Sequence, residues 1–471
     1  MNSQDIKSLI KGFNPTPLFL FNENNHHFIF DGESLALVKV NQVIYDLIKR
    51  ACTIGLHSAI MALHLNEDST ELQKIMQYIT QLKNGCVGFC PSSGYPKPKP
   101  KGKSGINEYY IGITHDCNLS CHYCYVHKTG PQKEKRCLTE QMALQIIDWI
   151  YNSHQSGDQI TIVLWGGEPL LNWDVFQTLV TYARDKAIQT HIQTRFATTT
   201  NAMLLSSSKL KFLAENRVSL NISIDGDQSI HDRYRRTPHG KGTYAAIQKN
   251  LREINQFEAY HPIAHITLTR DTLPSLYSSA RSIQSLGIPI VIIKPVDYFS
   301  DLAIQEQDCE MLYDQLSLWR THLITMFQSD PNALIPQLKA DIAAIQNGQI
   351  LEGTCNAGVS TAFMDTDGTI HACYNLIGGK FPTQIGHIDH AEVDHSIQLQ
   401  WLSHNQTYWK ECQNCPFKFI CGGGCIAKSI FHQDSYPKPS PYECRFNKIF
   451  QEHRLRLYAA LGGANLGFGK K

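Results

Sequence analysis

The fifteen cysteines of this 471-residue chain constrain its fold more than any other feature of the sequence. Ten of them form two groups: three lie within residues 117–124, and seven lie within residues 355–444. The N-terminal segment lacks the apolar stretch and cleavage site of a secretory signal, so we expect a cytoplasmic protein, in which disulfide bonds are rare. Numerous thiols in a reducing compartment indicate metal binding or redox catalysis.

Composition excludes two other classes of protein. Lys and Arg number 43 against 42 Asp and Glu, and this near-neutral balance argues against a chain that wraps nucleic acid, whose phosphates require a strongly basic face. The sequence has no apolar run of about eighteen residues, so we expect no membrane span. The length predicts roughly two to four domains.

Residues 1–90 are predicted to form a small winged-helix-like module. Two short strands around the polar turn NENN precede three segments with apolar residues at helical spacing. Asn41 and Ser69 are the expected N-caps of two of these helices. Residues 91–105 alternate Pro and Lys, which favours an extended linker.

Residues 106–300 alternate β-rich runs with amphipathic helices, which predicts a parallel sheet with helical crossovers. Six strands are too few for a closed eight-stranded barrel, so the expected fold class is α/β, a partial (β/α)6 TIM-type barrel. Residues 301–350 are predicted to form a helical bridge. Residues 351–450 are rich in Cys, Gly and Pro and predict an irregular, metal-stapled domain, and residues 451–471 a C-terminal helix and tail.

The first cysteine group directly follows the first strand of the predicted sheet. Its members are Cys117, Cys121 and Cys124. Ligand sites of parallel α/β domains lie beyond the carboxyl ends of strands. Three thiolates do not complete a zinc tetrahedron, whereas a 4Fe-4S cluster held by three thiolates leaves one iron open. A zinc site completed by a neighbouring histidine such as His122 is the alternative.

The segment CNLSCHYC resembles the signature of the radical S-adenosylmethionine (SAM) enzymes, with Tyr123 before the third cysteine. A GGEP segment at residues 166–169 and an SIDG segment at residues 223–226 follow at the expected strand ends, and the resemblance covers residues 106–300. It implies that Cys117, Cys121 and Cys124 are catalytic ligands of a SAM-binding cluster. It also implies contacts to SAM from Tyr123, Gly166, Gly167, Glu168, Ser223 and Asp225.

The same resemblance implies a reaction. The open iron chelates SAM, an electron from the cluster cleaves a carbon–sulfur bond, and a 5′-deoxyadenosyl radical takes hydrogen from an unactivated carbon. The cofactors supply this chemistry, and the protein supplies positioning and water exclusion. A reductase such as flavodoxin or ferredoxin is the implied electron donor.

The second cysteine group contains seven thiols, close to the eight that two 4Fe-4S clusters use. One or two zinc ribbons are the alternative, since short CxxC pairs are common there. The whole pattern resembles the SPASM domain of radical SAM peptide maturases, which implies two auxiliary 4Fe-4S clusters besides the SAM cluster. By that resemblance one takes Cys412, Cys415, Cys421 and Cys444, and the other takes Cys355, Cys373 and Cys425.

The fourth ligand of the second auxiliary cluster is not evident in the sequence. Either Cys309 folds back to it, or the site is open and binds a substrate thiolate; we favour the open site. Sulfatase-maturing relatives carry an Asp base directly after the cysteine equivalent to Cys373, and this chain has Tyr374 there. This difference argues against a sulfatase maturase.

Residues 14–90 resemble the RiPP recognition element, a winged-helix module that binds leader peptides of ribosomally made precursors. Strand addition at an exposed sheet edge is the expected mode of binding. A winged helix can also bind DNA, but this module has no concentrated Lys/Arg face.

The expected function is therefore a radical SAM peptide maturase that forms a thioether or carbon–carbon crosslink within a precursor peptide. One alternative is a radical SAM maturase that oxidises a side chain or assembles a cofactor on a protein. The other is a zinc-stapled peptide-binding protein without catalysis.

Overall fold

A computed structural model of the chain shows its architecture. The predicted linker lies almost wholly outside the described residues, at 91–104. The structure describes residues 3–66, 69–90, 105–124, 136–254, 262–296, 301–330, 351, 355–377, 381–390, 392–402, 409–431 and 438–462.

The N-terminal part is a three-stranded antiparallel sheet, in the order β1-β2-β3, with helices packed on it. The sequence predicted two of these strands and missed the third, because its four residues are too few to establish an alternating pattern. The elements are α1 (Ser3–Leu9), β1 (Leu18–Glu23), β2 (His26–Asp31), β3 (Leu37–Val40), α2 (Gln42–Ile54), α3 (Leu56–Met61) and α4 (Thr70–Asn84).

Both predicted helix caps are confirmed. The Asn41 side chain accepts a hydrogen bond from the Ile44 amide at the start of α2. The Ser69 hydroxyl accepts one from the Leu72 amide at the start of α4. Each bond satisfies a backbone donor that the first helical turn leaves without a partner.

The N-terminal sheet is buried on both faces. Ile29 and Val38 pack against the helices of the module. On the opposite face Phe30 belongs to a separate apolar cluster, which also contains Phe417 and Leu455 from the C-terminal part of the chain. The Lys418 ammonium lies 2.5 Å from the Glu33 carboxylate across the same contact. The module is therefore packed directly against the cysteine-rich region.

Six parallel strands in sequential order form the central sheet, as the sequence predicts. Amphipathic helices connect them, and their apolar faces form the main core with the outer face of the sheet. The strands are β4 (Glu108–Thr114), β5 (Gln159–Gly166), β6 (Gln193–Thr200), β7 (Val218–Ser223), β8 (Ile263–Leu268) and β9 (Ile290–Pro295). The helices are α5 (Glu140–Asn152), α6 (Trp173–Thr190), α7 (Ser207–Glu215), α8 (Gln228–Tyr234), α9 (Tyr244–Ile254) and α10 (Leu276–Ser285).

The C-terminal region extends this same sheet, which the sequence did not predict. Strand β10 (Thr361–Met364) pairs in parallel with β4, and β11 (Thr369–His371) and β12 (Gln384–His387) continue outward. Among the described strands, β12 and β9 are the two outer strands, so the barrel is open, as expected. The helices of this region are α11 (Cys309–Ser329), α12 (His395–Leu402), α13 (Lys410–Gln413), α14 (Lys418–Cys421), α15 (Ile426–Phe431) and α16 (Pro441–Ala460).

Strand alternation divides the central sheet into an outer face toward the helices and an inner face toward the lumen. On β4, Tyr109 and Ile111 are fully buried in the main core on the outer face, so Tyr110 between them points inward. Of the helices in the described part of the chain, none combines the length and apolar character that a membrane crossing requires.

Candidate active site

The first cysteine group lies in the loop after β4, at the carboxyl-terminal edge of the central sheet. Burial, together with repulsion from the neighbouring thiolates, raises the pKa of Cys117 to about 12. Burial likewise raises the pKa of Cys121 to about 11, and Cys124 adds to the effect. The three cysteines share one loop, and Cys117 and Cys121 lie where burial disfavours the thiolate, so that a cation or metal is needed to stabilise it.

Backbone hydrogen bonds hold this cysteine loop, residues 115–124, against the last residue of α8 and the segment that follows it. The Ser120 amide donates to the Arg236 carbonyl at 2.7 Å, and the His122 amide donates to the Tyr234 carbonyl at 3.1 Å. On another side of the loop the Asn201 side-chain amide lies 3.8 Å from the Cys117 sulfur. The loop is therefore fixed by contacts from two directions.

Two glycines allow β5 to approach the cysteine loop. A Cβ atom on Gly166 would overlap the Thr114 carbonyl oxygen, and one on Gly167 would overlap the Asp116 carbonyl oxygen. Gly166 also has φ 153°, which side chains disfavour. The Gly167 amide donates to the Thr114 carbonyl at 2.9 Å, and the Glu168 amide donates to the Asp116 carbonyl at 2.8 Å.

The Glu168 carboxylate ties the end of β5 to the end of β6. It accepts hydrogen bonds from the Thr200 hydroxyl at 2.7 Å, the Asn201 amide at 2.7 Å and the Leu170 amide at 3.1 Å. The side chain is 1% exposed, and its burial raises the pKa of Glu168 although these donors act in the opposite direction. Each donor favours the carboxylate form that a bound ammonium group would need.

A buried ion pair joins the cysteine loop to β7 and β8. Arg235 donates to both carboxylate oxygens of Asp225, at 2.9 and 3.2 Å, and the Thr267 amide donates at 2.9 Å. The Tyr123 hydroxyl also donates to Asp225, and the Arg235 guanidinium lies 5.3 Å from the Tyr123 ring centroid. These contacts fix the Tyr123 side chain between the second and third cysteines of the loop. The ion pair of Asp225 with Arg235 is a contact that the sequence did not predict.

Ser223 ends β7 beside these groups. Leu220 and Ile222 pack into the main core, so the alternation of the strand directs Ser223 to the inner face. Its register partner on β8 is His265. Burial, with the nearby Lys294 and Arg235 cations, lowers the pKa of His265 to about 3, so its imidazole is neutral.

Four aromatic side chains line the inner face near β4, β5 and β10, and none was singled out from the sequence as a lining residue. The Trp165 ring centroid lies 5.7 Å from that of Tyr110 and 5.1 Å from that of Tyr374. Phe363 lies 5.7 Å from Tyr374. We call these four residues the aromatic wall. Side-chain alternation along β4 and β5 could have predicted from the sequence that Tyr110 and Trp165 face inward. The inward position of Phe363 and Tyr374 follows only from the pairing of β10 with β4, which the sequence did not predict.

The seven C-terminal cysteines separate into two groups. Burial raises the pKa of Cys412 and of Cys421 to about 12, and in both cases the neighbouring thiolates add to the effect. In the second group, burial and repulsion from Cys355 and Cys425 raise the pKa of Cys373. The first group contains Cys412, Cys415, Cys421 and Cys444. The second group contains Cys355, Cys373 and Cys425. The SPASM resemblance implies the same two sets, and their role as ligands of two auxiliary clusters stays a prediction.

Two further observations concern these thiols. In the described residues no three His, Cys, Asp or Glu side chains have the arrangement for a single metal ion. Glu443, which the sequence analysis did not single out, lies between the two groups: its carboxylate accepts from the Cys425 amide at 2.8 Å and raises the pKa of Cys421, after the larger effect of burial. In the sequence, only its position directly before Cys444 could have indicated that Glu443 lies near these thiols.

Cys309 lies at the start of α11. Its thiol donates to the Gln305 carbonyl at 3.7 Å, and burial followed by the charge of Glu306 raises its pKa. The charged groups that act on it are Glu306, Asp308 and Arg445, and no thiol of the described residues is among them. The Cys309 thiol therefore makes a local hydrogen bond and has no other thiol of the described residues acting on it. These surroundings favour an open site over Cys309 as the missing cluster ligand.

The two glycines yield a testable prediction. We expect Gly167→Ala to displace the cysteine loop, because the added methyl group meets backbone that cannot move aside independently. SAM affinity, measured by equilibrium binding after iron–sulfur reconstitution, should fall by at least about tenfold. Gly386→Ala is the matched control, since a Cβ there makes only ordinary contacts at 3.5 Å. Unchanged affinity in Gly167→Ala would contradict the close approach.

Residues 111–268 match the Radical SAM superfamily. Over 381 residues the chain is 25% identical to a serine-type anaerobic sulfatase-maturating enzyme of Bacteroides thetaiotaomicron, covering 71% of this chain and 86% of the relative. It is 21% identical over 327 residues to a cysteine-type anaerobic sulfatase-maturating enzyme of Clostridium novyi, covering 66% of this chain and 85% of the relative.

Solved structures share the fold. One is anSMEcpe with bound AdoMet, with a TM-score of 0.62 and 18% identity, covering 76% of this chain and 98% of the other. Another is Streptococcus suis SuiB bound to precursor peptide SuiA, with a TM-score of 0.51 and 14% identity, covering 91% of this chain and 98% of the other. The chain therefore contains a radical SAM domain with sequence homology to the anaerobic sulfatase-maturating enzymes.

Proposed function

We propose that this radical SAM enzyme is a cytoplasmic peptide maturase that closes an intrapeptide crosslink, either a thioether or a carbon–carbon bond, in a ribosomally made precursor. The observation that carries the proposal is the aromatic wall on the inner face, in which Trp165 directly precedes Gly166 and packs against Tyr374. Tyr374 stands there directly after Cys373, where sulfatase-maturing relatives have a carboxylate base.

The donor sets fit the implied cofactors. Cys117, Cys121 and Cys124 would hold the SAM-binding 4Fe-4S cluster, and the two C-terminal groups would hold two auxiliary 4Fe-4S clusters. When bound, the reduced first cluster would supply the electron that cleaves SAM and so provide the radical that removes one hydrogen atom from the peptide, and an auxiliary cluster would accept the second electron as the crosslink closes and a proton leaves to solvent. Buried thiols with raised pKa values suit this role, because coordination removes the proton that burial otherwise retains.

The residues of the chain position the reactants. The Glu168 carboxylate, already held by three donors, keeps a fixed direction and retains lone pairs that can accept from the SAM ammonium group. Gly166 and Gly167 offer backbone to SAM without side-chain obstruction. Ser223 presents a hydroxyl on the inner face, and Asp225 with Tyr123 holds the cysteine loop in place.

The aromatic wall receives the reacting side chain. Its rings exclude water from the space in which hydrogen would be abstracted, which protects a radical from quenching. The phenol of Tyr110 has its pKa raised by burial and then by Glu108, so it stays neutral and presents an apolar ring. An apolar or aromatic residue of the peptide fits this wall better than a charged one.

The N-terminal module supplies a docking edge for a leader peptide. Strand β1 contacts α16 on its outer side, where Arg456 donates to the Asn22 carbonyl at 2.7 Å. Strand β3 is the other edge, and no strand of the described residues pairs with its outer side. An extended leader could add there as a fourth strand. The SuiB structure, whose fold is similar, is bound to its precursor peptide, which supports a peptide substrate for a chain of this fold.

Oxidation of a serine or cysteine on a protein is the second candidate, and the sequence relatives favour it. Mass spectrometry separates the two. The reconstituted enzyme is incubated anaerobically with SAM, a reductant and a candidate precursor peptide, sought as a short open reading frame among the neighbouring genes. A crosslink and the oxidation of a serine to an aldehyde each remove two hydrogens, whereas conversion of a cysteine to an aldehyde also replaces sulfur with oxygen and differs in mass. For the crosslink we expect a loss of two hydrogens with fragment ions missing between the two joined residues. Complete fragmentation with an aldehyde that reacts with hydrazine would contradict the crosslink.

The thiol groups predict iron contents. Cys373→Ala should lower the iron content from about twelve to about eight per chain after reconstitution, because one auxiliary cluster is lost. Cys309→Ala is the matched control and should retain about twelve, since its thiol bonds locally to Gln305. Equal loss of iron in both variants would show that Cys309 is the missing ligand, contrary to the proposal of an open site.

The aromatic wall predicts how cleavage of SAM is coupled to product formation. Tyr374→Ala should lower the ratio of crosslinked peptide to 5′-deoxyadenosine by at least about tenfold, because the reacting side chain loses its positioning. Tyr374→Phe keeps the ring and should stay within about threefold of wild type. Loss of coupling in Tyr374→Phe to the same extent would identify the hydroxyl as the essential group and would contradict a role for the ring alone.

A further inference from the structure

Lys294 lies on the inner face of β9, near the carboxyl-terminal end of this strand. Val291 and Ile293 pack against the main core on the outer face, so the alternation of the strand directs Lys294 into the lumen. Its register partner on β8 is Thr267, whose amide donates to Asp225 at 2.9 Å. Lys294 is therefore on the side of the lumen that carries the SAM-side residues, whereas the aromatic wall lies near β4, β5 and β10.

The Lys294 ammonium group has no carboxylate partner in the described part of the chain. The ionisable groups that act on it are Lys428 and Cys425. The side chain is exposed to the lumen, and the protein around the lumen removes enough water to lower the pKa of Lys294, which the charge of Lys428 lowers further. A bound anion would stabilise an ammonium group in these surroundings.

The other basic groups on this side of the lumen are balanced. Arg235 donates two hydrogen bonds to the Asp225 carboxylate. The Lys428 ammonium group lies 3.7 Å from the Glu443 carboxylate. Among the described residues on this side, Lys294 therefore adds a positive charge that no carboxylate offsets.

Of the anions that could meet this charge, a side chain of the peptide is the most suitable. SAM carries a sulfonium and an ammonium group against one carboxylate, so the molecule as a whole is a cation and is not attracted to Lys294. The Cys425 thiolate already has the charge of Lys428 beside it, which lowers its pKa against the larger effect of burial. A peptide carboxylate is ionised at neutral pH, whereas a cysteine thiol, with an ordinary pKa of about 8.5, is mostly protonated.

We propose that Lys294 is a specificity residue that binds a carboxylate side chain, Asp or Glu, of the precursor peptide. This role rests on the proposed function and adds one feature to its substrate, an acidic residue close to the apolar or aromatic residue that reacts at the aromatic wall. The two contacts would hold the peptide at two places in the lumen and so fix which carbon faces the deoxyadenosyl radical. The pair gains strength because the lumen is partly shielded from water.

The experiment measures the affinity of the reconstituted full-length enzyme for the core segment of the candidate precursor peptide, by anaerobic fluorescence anisotropy with SAM present. The core segment is added without its leader, so that docking on the N-terminal module does not contribute. A second peptide, the amide peptide, has each Asp and Glu replaced by Asn and Gln. The variants are Lys294→Met, the charge-conserving Lys294→Arg, and Lys249→Met, an exposed control on α9 outside the lumen. Electron paramagnetic resonance spectra of the reduced clusters are recorded for each variant.

We expect Lys294→Met to weaken binding of the acidic peptide by at least about tenfold. The same variant should bind the amide peptide as the wild-type enzyme does, because that peptide has no charge for Lys294 to recognise. Lys294→Arg and Lys249→Met should stay within about threefold of wild type with both peptides.

Equal effects of Lys294→Met on the two peptides would overturn the carboxylate contact, as would a precursor whose modified region contains no Asp or Glu. Altered cluster spectra in Lys294→Met with unchanged peptide affinity would assign Lys294 to the second auxiliary cluster and would also overturn it. Failure of the wild-type enzyme to crosslink the peptide would instead overturn the proposed function.

Discussion

The close contact between the end of β5 and the cysteine loop is the constraint on which the rest of the site depends. Gly166 and Gly167 bring backbone so near to Thr114 and Asp116 that no side chain fits between them. Glu168 can then reach Thr200 and Asn201, and Asn201 reaches Cys117. One backbone approach therefore aligns three strand ends and one thiol, through the Glu168 carboxylate that three hydrogen-bond donors hold in place.

A second constraint is the buried pair of Asp225 and Arg235. Both side chains are nearly excluded from solvent, so their attraction offsets desolvation only because the hydrogen bonds are bidentate and Thr267 and Tyr123 satisfy the remaining acceptor sites. Removal of one partner from such a pair costs about 3–5 kcal/mol, since it leaves an isolated buried charge. The pair thus fixes Tyr123, and with it the spacing between Cys121 and Cys124, at the cost of desolvating two charges.

The parallel pairing of β10 with β4 joins the two cysteine-rich regions into one body. It carries Phe363 onto the inner face beside Tyr110 and brings Tyr374 against Trp165. The N-terminal sheet packs its second face on Phe417 and Leu455 of the same region. A peptide held by that module and a side chain held by the aromatic wall would therefore be bound by parts of the protein that share a continuous set of contacts.

The sequence by itself determined the local features: six strands with helices between them, the caps Asn41 and Ser69, the two cysteine groups, and the glycines and acidic residues at strand ends. Each of these depends on periodicity, spacing or capping over a few residues, which the chain encodes locally. Tertiary structure alone decided the short strand β3, the extension of the sheet through β10, the aromatic wall, the position of Glu443 between two thiol groups and the engagement of Asp225 by Arg235. These depend on contacts between residues far apart in the chain, because strand pairing and ion pairing across elements leave no periodic trace in either partner.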